Sequence, residues 1–483
     1  MNIIGDLSSF FNPGSVALIG ASNSFGTWGN MVLRGLISQN ESRKIYPINP
    51  RDPEILGIHA YPSLTEVPGE VELAIIAIPA EKLDVALTDC ARKGVKGVVI
   101  ITSGFSEARG HTGREEERNL ALFGKRSGFR VLGPNISGVF NLHDNFIASS
   151  ANPVFLTKSN ISFICQGGYG PLNIIAKGHF KGFGVGKFIH TGNEADLECT
   201  DFLKVLGDDP DTEVILMYVE WLKDPRRFLQ IAREITEKKP VIIFKGGDSG
   251  DGARAAASHT GAMAGSSQIY HGLFQQAGCI QAMDFESMLE MGNAFTFYPG
   301  LKGPRIGIMT WGGSWGVMLV DNLCSKGLQV PEFPVGLQQR LRDIGMPYRA
   351  SVKNPVDVGA AGISLDMDAW VSIVDALLST ESIDGLVVHG LGRIGVDFNA
   401  LPDQMRDFQK VEEAFLRKTV EIMRTYEKPL VIGSVMSHHE SLTVRNLLRD
   451  GILCFTRLAD ISNLLSMLLR FHQRRIGGQA LTA

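Results

Sequence analysis

Residues 15–33 read SVALIGASNSFGTWGNMVL. A short β-branched run from Ser15 to Gly20 stops at a glycine, passes through a turn of small and polar residues, and resumes with helical periodicity. That is the opening of a βα unit. Glycine at Gly20, Gly26 and Gly29, with Ala21 and Ser22 between, lets the backbone turn tightly and approach a ligand. The following helix N-terminus offers free N–H groups and a dipole suited to an anion. The spacing is not G-x-G-x-x-G, so the dinucleotide fingerprint is half met. A tight turn that holds no ligand is the plain alternative.

The same alternation recurs along the chain. KIYPIN (44–49), LAIIAIP (73–79), GVVIIT (97–102) and RVLGPN (130–135) complete a first strand series. ISFICQ (161–166), VGKFIHTG (185–192), VILMYVEW (214–221) and PVIIFKGG (240–247) form a second, and RIGIMTWGG (305–313), IDGLVVHG and KPLVIGSV a third. Amphipathic stretches separate most of these strands, the pattern of an α/β fold around mostly parallel sheets. The Pro- and Gly-containing segments SANPVFLTKSN and YPGLKGP mark the boundaries, giving domains at 1–150, 151–300 and 301–483.

The 483 residues suit about three domains. With 44% hydrophobic and 20% charged residues the chain reads as globular. A net charge of -4 without a Lys/Arg stripe argues against nucleic acid. The six cysteines show no C-x-x-C spacing, so neither a metal site nor a disulfide framework is expected. MNIIGDLSSFFNPGS lacks signal-peptide character and no apolar run reaches membrane-span length, so a cytoplasmic protein without membrane partners is expected.

NAD sites usually end the second strand on an acid that binds the ribose diol. Here that strand ends Asn49-Pro50-Arg51, and the cation Arg51 suits an extra ribose phosphate, as in CoA or NADP. Ile78-Pro79, Ser103-Gly104 and Asn135 stand at the ends of other strands and would line the same crevice, or serve only as turns. In CQGGYGPLNII, Gly167, Gly168 and Gly170 lie between a strand and Pro171, a residue welcome in the first helical turn, so free N–H groups gather there as a candidate phosphate or oxyanion cradle. Glu220, Glu194 and Asp196 follow strands and read as functional, capping or surface carboxylates. His259 sits in ASHTGAMAG, a stretch of small residues that can bring a nucleophilic imidazole to a reacting group, or leave it merely exposed. Phe105, Phe140, Tyr169 and Trp311 are candidate apolar contacts or core. Trp311-Gly312-Gly313-Ser314-Trp315 reads as packing in preference to a second phosphate turn, and His438-His439 as surface.

SVALIGAS with its later glycines, YPINPR, EILGIHAYPSL, LAIIAIPA, GFSEARGHTGREEE, GPNISG, GNEAD, YVE, KPVIIFKGG and ASHTGAMAG stand in one order. The chain thereby resembles the α-type part of NDP-forming (ADP-forming) acyl-CoA synthetases, with the succinyl-CoA synthetase α subunit a more distant relative. The resemblance runs from about Pro13 to NPVDVG (354–359). It implies a Rossmann-like CoA-binding domain followed by two flavodoxin-like domains. It makes His259 the phosphoryl carrier, matching SHTG at Ser258–Gly261, Glu220 the residue that orients it, and Gly167 and Gly168 part of the turn that receives phosphate. The implied reaction joins an organic acid, CoA and ATP to acyl-CoA, ADP and phosphate, through an acyl phosphate and a phosphohistidine. ATP/ADP with Mg2+ would sit on an ATP-grasp β-type partner in a hetero-oligomer. Two departures stand out: Cys165-Gln166-Gly167-Gly168 replaces S-Q-S-G, removing hydroxyls that could bond phosphate, and Ile136 replaces the cysteine of P-N-C. A CoA or acyl-CoA sensor without phosphoryl transfer is the alternative. An NADP-dependent dehydrogenase is a third reading, opposed by the missing acid and the lack of a hydride-transfer site.

Overall fold

The structure, a computed structural model, describes residues 7–40, 42–249, 251–252, 267–359, 367–392 and 403–482. The chain divides into two units, Met1–Gly292 and Asn293–Ala483.

The first unit opens with β1 (Ser15–Ile19), buried along its length, and α1 (Trp28–Ser38), capped by the Thr27 side chain, which accepts the Asn30 N–H. β2 (Lys44–Ile48) lies parallel on one side of β1. After a hairpin of β3 (Glu54–Ile55) and β4 (Ile58–His59), β5 (Leu73–Ile76) lies parallel on the other side. β6 (Gly97–Ile100) and β7 (Arg130–Leu132) follow outward. Helices α2 (Leu83–Lys93) and α3 (Ser106–Ser127) make the crossovers, and each stops on a left-handed glycine, Gly94 and Gly128. The order β2-β1-β5-β6-β7 reverses direction between β1 and β5, so a crevice opens beyond the carboxyl ends of those strands.

A second sheet in the same unit has the order β14-β13-β12-β10-β11-β8-β9. Its parallel strands are β10 (Ile161–Cys165), β11 (Lys187–His190), β12 (Val214–Val219), β13 (Val241–Lys245) and β14 (Ile280–Gln281). Their near-continuous burial explains why they read as apolar runs without alternation. The reversal between β10 and β12 brings the ends of those two strands together.

The sheet is completed by β8 (Gly138–Asn141), antiparallel to β11, and β9 (Phe146–Ser149), antiparallel to β8. A boundary at residue 150 assigns this hairpin to the first domain, whereas its hydrogen bonds belong to the second sheet. Packing explains the placement. Phe140 stacks on Phe188 of β11 at 5.4 Å, and α1 lies so close to β9 that a Cβ on Gly35 would stand 2.7 Å from the Ile147 carbonyl oxygen. One core therefore runs through both sheets, joining Leu18, Val32 and Val99 to Ile164, Ile189 and Phe202.

The second unit holds β15 (Ile306–Thr310), β16 (Val356–Asp357), β17 (Gly385–Leu391), β18 (Leu430–Ser434) and β19 (Cys454–Phe455), all parallel, in the order β16-β15-β17-β18-β19. It winds as the parallel part of the second sheet does. Trp311, just beyond β15, packs edge-on against Trp370 and Phe415 at 5.4 and 5.8 Å. His438 and His439 lean on each other at 3.9 Å, and no cluster of metal-ligating side chains occurs among the described residues. None of the described helices is long and apolar enough to cross a membrane.

Candidate functional site

A crevice of about 690 Å3 begins at the carboxyl ends of β1, β5 and β6 and continues to the end of β10. Gly20, Ser22 and Gly29 line it, as do Ile78, Pro79, Ser103 and Asn135. Two of these glycines are also demanded by packing: a Cβ on Gly29 would stand 1.9 Å from the Gly20 carbonyl oxygen, and one on Gly20 (φ +92°) would stand 2.4 Å from that of Ala77. Gly26 (φ +83°) is an open turn outside the lining, and Ala21 is buried in the core. Asn49 is tied into the fold. Its side chain accepts the Arg51 and Asp52 N–H groups at 2.8 and 3.2 Å and donates to Ala21 O at 2.9 Å, tying the end of β2 to the turn after β1. Arg51 is exposed, and among the described residues no carboxylate pairs with it. Gly104 lines an adjoining groove of about 1160 Å3 that shares Pro79, Ala80 and Ser103 with the crevice. Phe105 and Phe140 are core, whereas Tyr169 is exposed and lines the crevice.

The far part of the crevice is lined by Gln166, Gly168, Tyr169, His190 and Asn193. Helix α4 (Tyr169–His179) starts here with Gly168 at its N-cap and no side chain capping it. The N–H groups of Gly167 and Gly168 have no acceptor among the described residues. Such N–H groups at a helix start suit an anion. Gly167 and Gly170 are outside the lining. A Cβ on Gly167 would stand 2.5 Å from Tyr218 Cε1, and one on Gly246 would stand 2.3 Å from the Tyr218 hydroxyl, so the phenol is seated between two glycines. Burial and the charge of Glu220 raise the phenol's pKa, keeping it a donor.

Tyr218 donates to Glu220 Oε1 at 3.1 Å, while the Glu220 and Trp221 N–H groups donate to Gln166 Oε1 at 2.7 and 3.1 Å. Glu220 Oε2 is buried without a partner among the described residues. A buried carboxylate oxygen left this way is costly until a donor meets it. The lost serines change less than the motif suggests. The Cys165 thiol is buried and donates to Gly167 O within its own turn, and a side chain at 167 would run into Tyr218. His259 lies in residues 253–266, outside the described residues. The flanks of that segment are joined: Asp248 accepts from the Ser267 hydroxyl and meets His271 Nε2 at 3.0 Å.

Residues 191–196 tie the two sheets together. Asn193 Nδ2 donates to Glu107 Oε2 at 2.6 Å and Glu117 Oε1 at 2.7 Å, and its Oδ1 accepts from Asn135 at 3.2 Å. Burial disfavours the Glu107 carboxylate, but hydrogen bonds from the Gly104 N–H and Asn193 hold its pKa below the usual range. Asp196 is neither a cap nor a surface acid. Its side chain is 1% exposed and meets Arg130 Nε at 2.7 Å and Lys125 at 3.6 Å. Glu194 is fully buried, and burial pushes its carboxyl up to about 7 against the Lys223 charge and hydrogen bonds from Gln166, Thr191 and Cys199. The cap of the next helix, α5 (Cys199–Asp208), is Glu198. Sequence reasoning passed over His190, Asn193, Tyr218 and Lys245. For Lys245 a signal existed, a cation closing the apolar run VIIFK; burial lowers its pKa against the charges of Asp248 and Glu220.

Residues 14–141 match a family described as a CoA binding domain, and residues 158–295 one described as a succinyl-CoA ligase like flavodoxin domain. The chain is 41% identical to the acetate–CoA ligase [ADP-forming] II subunit alpha of Pyrococcus furiosus over 79% of its own length and 81% of that protein's. It is 38% identical to an acetate–CoA ligase [ADP-forming] of Methanocaldococcus jannaschii over 72% of its own length, spanning 48% of that longer chain. A solved structure, the dinucleotide forming acetyl-coenzyme A synthetase 1 of Ca. Korarchaeum cryptofilum in complex with phosphate and ADP, superposes with a TM-score of 0.87 at 30% identity, covering 100% of both chains.

Proposed function

The chain belongs to the ADP-forming acyl-CoA synthetases, and from that premise we propose that it is the α-type subunit of such a ligase, converting acyl-CoA, phosphate and ADP to acid, CoA and ATP, and the reverse. The observation that carries this reading is the continuity of one crevice, from the glycine turn after β1 to the bare helix start beside Glu220. Its glycine-lined mouth fits coenzyme A, and the exposed Arg51 just beyond β2, which meets no carboxylate among the described residues, suits the ribose phosphate. Coenzyme A, when bound, supplies the thiol that the acyl group joins or leaves.

The chain's own residues then serve the phosphate. The Gly167 and Gly168 N–H groups and the positive end of α4 hold its oxygens. Phosphate attacks the thioester carbon and the carbon–sulfur bond breaks with its electron pair left on the CoA sulfur, giving an acyl phosphate; the His259 imidazole, neutral and with one nitrogen lone pair free, then attacks its phosphorus, and the bond from phosphorus to the acyl oxygen breaks as the acid leaves with that electron pair. Glu220 accepts a hydrogen bond from the N–H of the other ring nitrogen, fixing the tautomer and stabilising the charged ring, a role suited to its Oε2, which has no partner among the described residues. Phosphohistidine then passes its phosphoryl group to ADP, which with Mg2+ occupies an ATP-grasp partner. The Methanocaldococcus relative, about twice the matched length, has room for such a module in one chain.

The test is incubation of the chain with acyl-CoA and radiolabelled phosphate. Acid-labile, base-stable label on the protein that disappears in His259→Ala is the expected result. Tight CoA binding with no label, with or without an ATP-grasp partner, overturns this reading in favour of a sensor.

A further inference from the structure

A backbone cradle works only if its peptide planes face the right way, and glycines on either side make a plane easy to flip. At the turn after β10 two consecutive carbonyls are held from below by buried side chains. Gln166 O lies 3.1 Å from His190 Nε2, and Gly167 O accepts from the Cys165 thiol. His190 Nδ1 faces the Ser137 N–H at 2.7 Å. A backbone N–H can only donate, so Nδ1 carries the lone pair and Nε2 the hydrogen, which is therefore given to Gln166 O. In a trans peptide the C=O and the following N–H point in opposite directions. Holding Gln166 O against His190 thus turns the Gly167 N–H away from the imidazole, and holding Gly167 O against Cys165 does the same for Gly168. Burial and the Glu220 charge raise the pKa of Cys165, which keeps it a thiol able to donate.

We propose that His190 is a positioning residue for the phosphate chemistry, locking the Gln166 peptide so that the Gly167 N–H stays available to phosphate, with Cys165 locking the next plane. Released from His190, the plane can rotate and put a carbonyl oxygen where the anion sits. The need is acute in this chain because Tyr218 leaves room only for glycine at 167. The same imidazole also links the two halves of the crevice, since Ser137 and Gln166 both line it. The inference rests on the reading of this turn as the phosphate site.

The experiment compares His190→Phe, which keeps ring bulk but no hydrogen bonds, with His190→Gln, which keeps one acceptor and one donor, in the full chain with its partner. Three quantities are read: KM for inorganic phosphate with acyl-CoA, direct binding of inorganic phosphate to the CoA-loaded chain by 31P NMR, and the CoA dissociation constant. H190F is expected to weaken phosphate in both readouts by about tenfold or more while CoA shifts by less than about threefold, and H190Q to recover most of the loss. Cys165→Ala is expected to weaken phosphate in the same sense and Cys165→Ser less so, which keeps the test decisive if H190F does not fold. The proposal is overturned if both lock-removing variants keep phosphate affinity within about twofold of wild type, if H190F loses phosphate and CoA alike with H190Q no better, or if the wild-type chain binds no phosphate. Phosphate binding that follows this pattern without turnover upholds the lock and refutes the synthetase reading instead.

Discussion

Glu194 carries a consequence that the sequence does not advertise. Glu194 reads as an ordinary acid in GNEAD, yet burial lifts its carboxyl from 4.5 to about 7. A raised acid pKa means that the folded state holds a proton the unfolded state has released, so this group costs nothing below about pH 4.5 and its full penalty, about 3 kcal/mol, above about pH 7. Stability should therefore fall as pH rises through that window. Glu194→Gln should flatten the fall, as measured by denaturant unfolding at about pH 4 and about pH 8, either side of the window; an unchanged slope contradicts the assignment. Arg51 is read as a ribose-phosphate contact because a cation, not an acid, follows the second strand. Arg51→Gln should weaken CoA by about tenfold and leave dephospho-CoA nearly unaffected in calorimetric titration. Asn49, read from the same three residues as a ligand contact, also ties its own turn to backbone 28 residues earlier.

Among elements, the glycine-rich turns were the most legible part of the site, because a backbone that bends sharply or approaches another chain segment closely leaves no room for a Cβ. What surrounds them was not. His190 and Asn193 bond to partners far away in sequence, and Tyr218, though it donates to nearby Glu220, is seated between the distant Gly167 and Gly246; within their strands and turns they look unremarkable. The turn after β10 shows the difference. Restoring the missing serine with Gly167→Ser looks like a repair on paper; against the Tyr218 ring it should displace the phenol from Glu220 and lower phosphoprotein formation by about tenfold, as read by label incorporation. A gain in labelling would contradict that. The segment 191–196 supplies a second test. Asp196→Ala strips Arg130 of a buried partner and should destabilise the first unit by about 2 to 3 kcal/mol, visible as a lower first melting transition with the other unit unmoved.

For the whole molecule, three doubly wound layers follow from three series of apolar strands, since parallel strands covered on both faces carry no alternation to confuse the reading. The hairpin at 138–149 escaped that logic: its runs are short, and its place is decided by pairing with β11 and packing under α1. The two layers of the first unit share one core, and the turn after β1 and the turn after β10 line a single crevice. The most direct test is a crystal structure of the chain soaked with CoA and inorganic phosphate together. The account predicts the CoA chain running from the Gly20–Gly29 turn with its thiol toward Gly168, and phosphate held by the Gly167 and Gly168 N–H groups. CoA seated with its thiol away from that turn, or phosphate bound elsewhere while the turn stays bare, would contradict it.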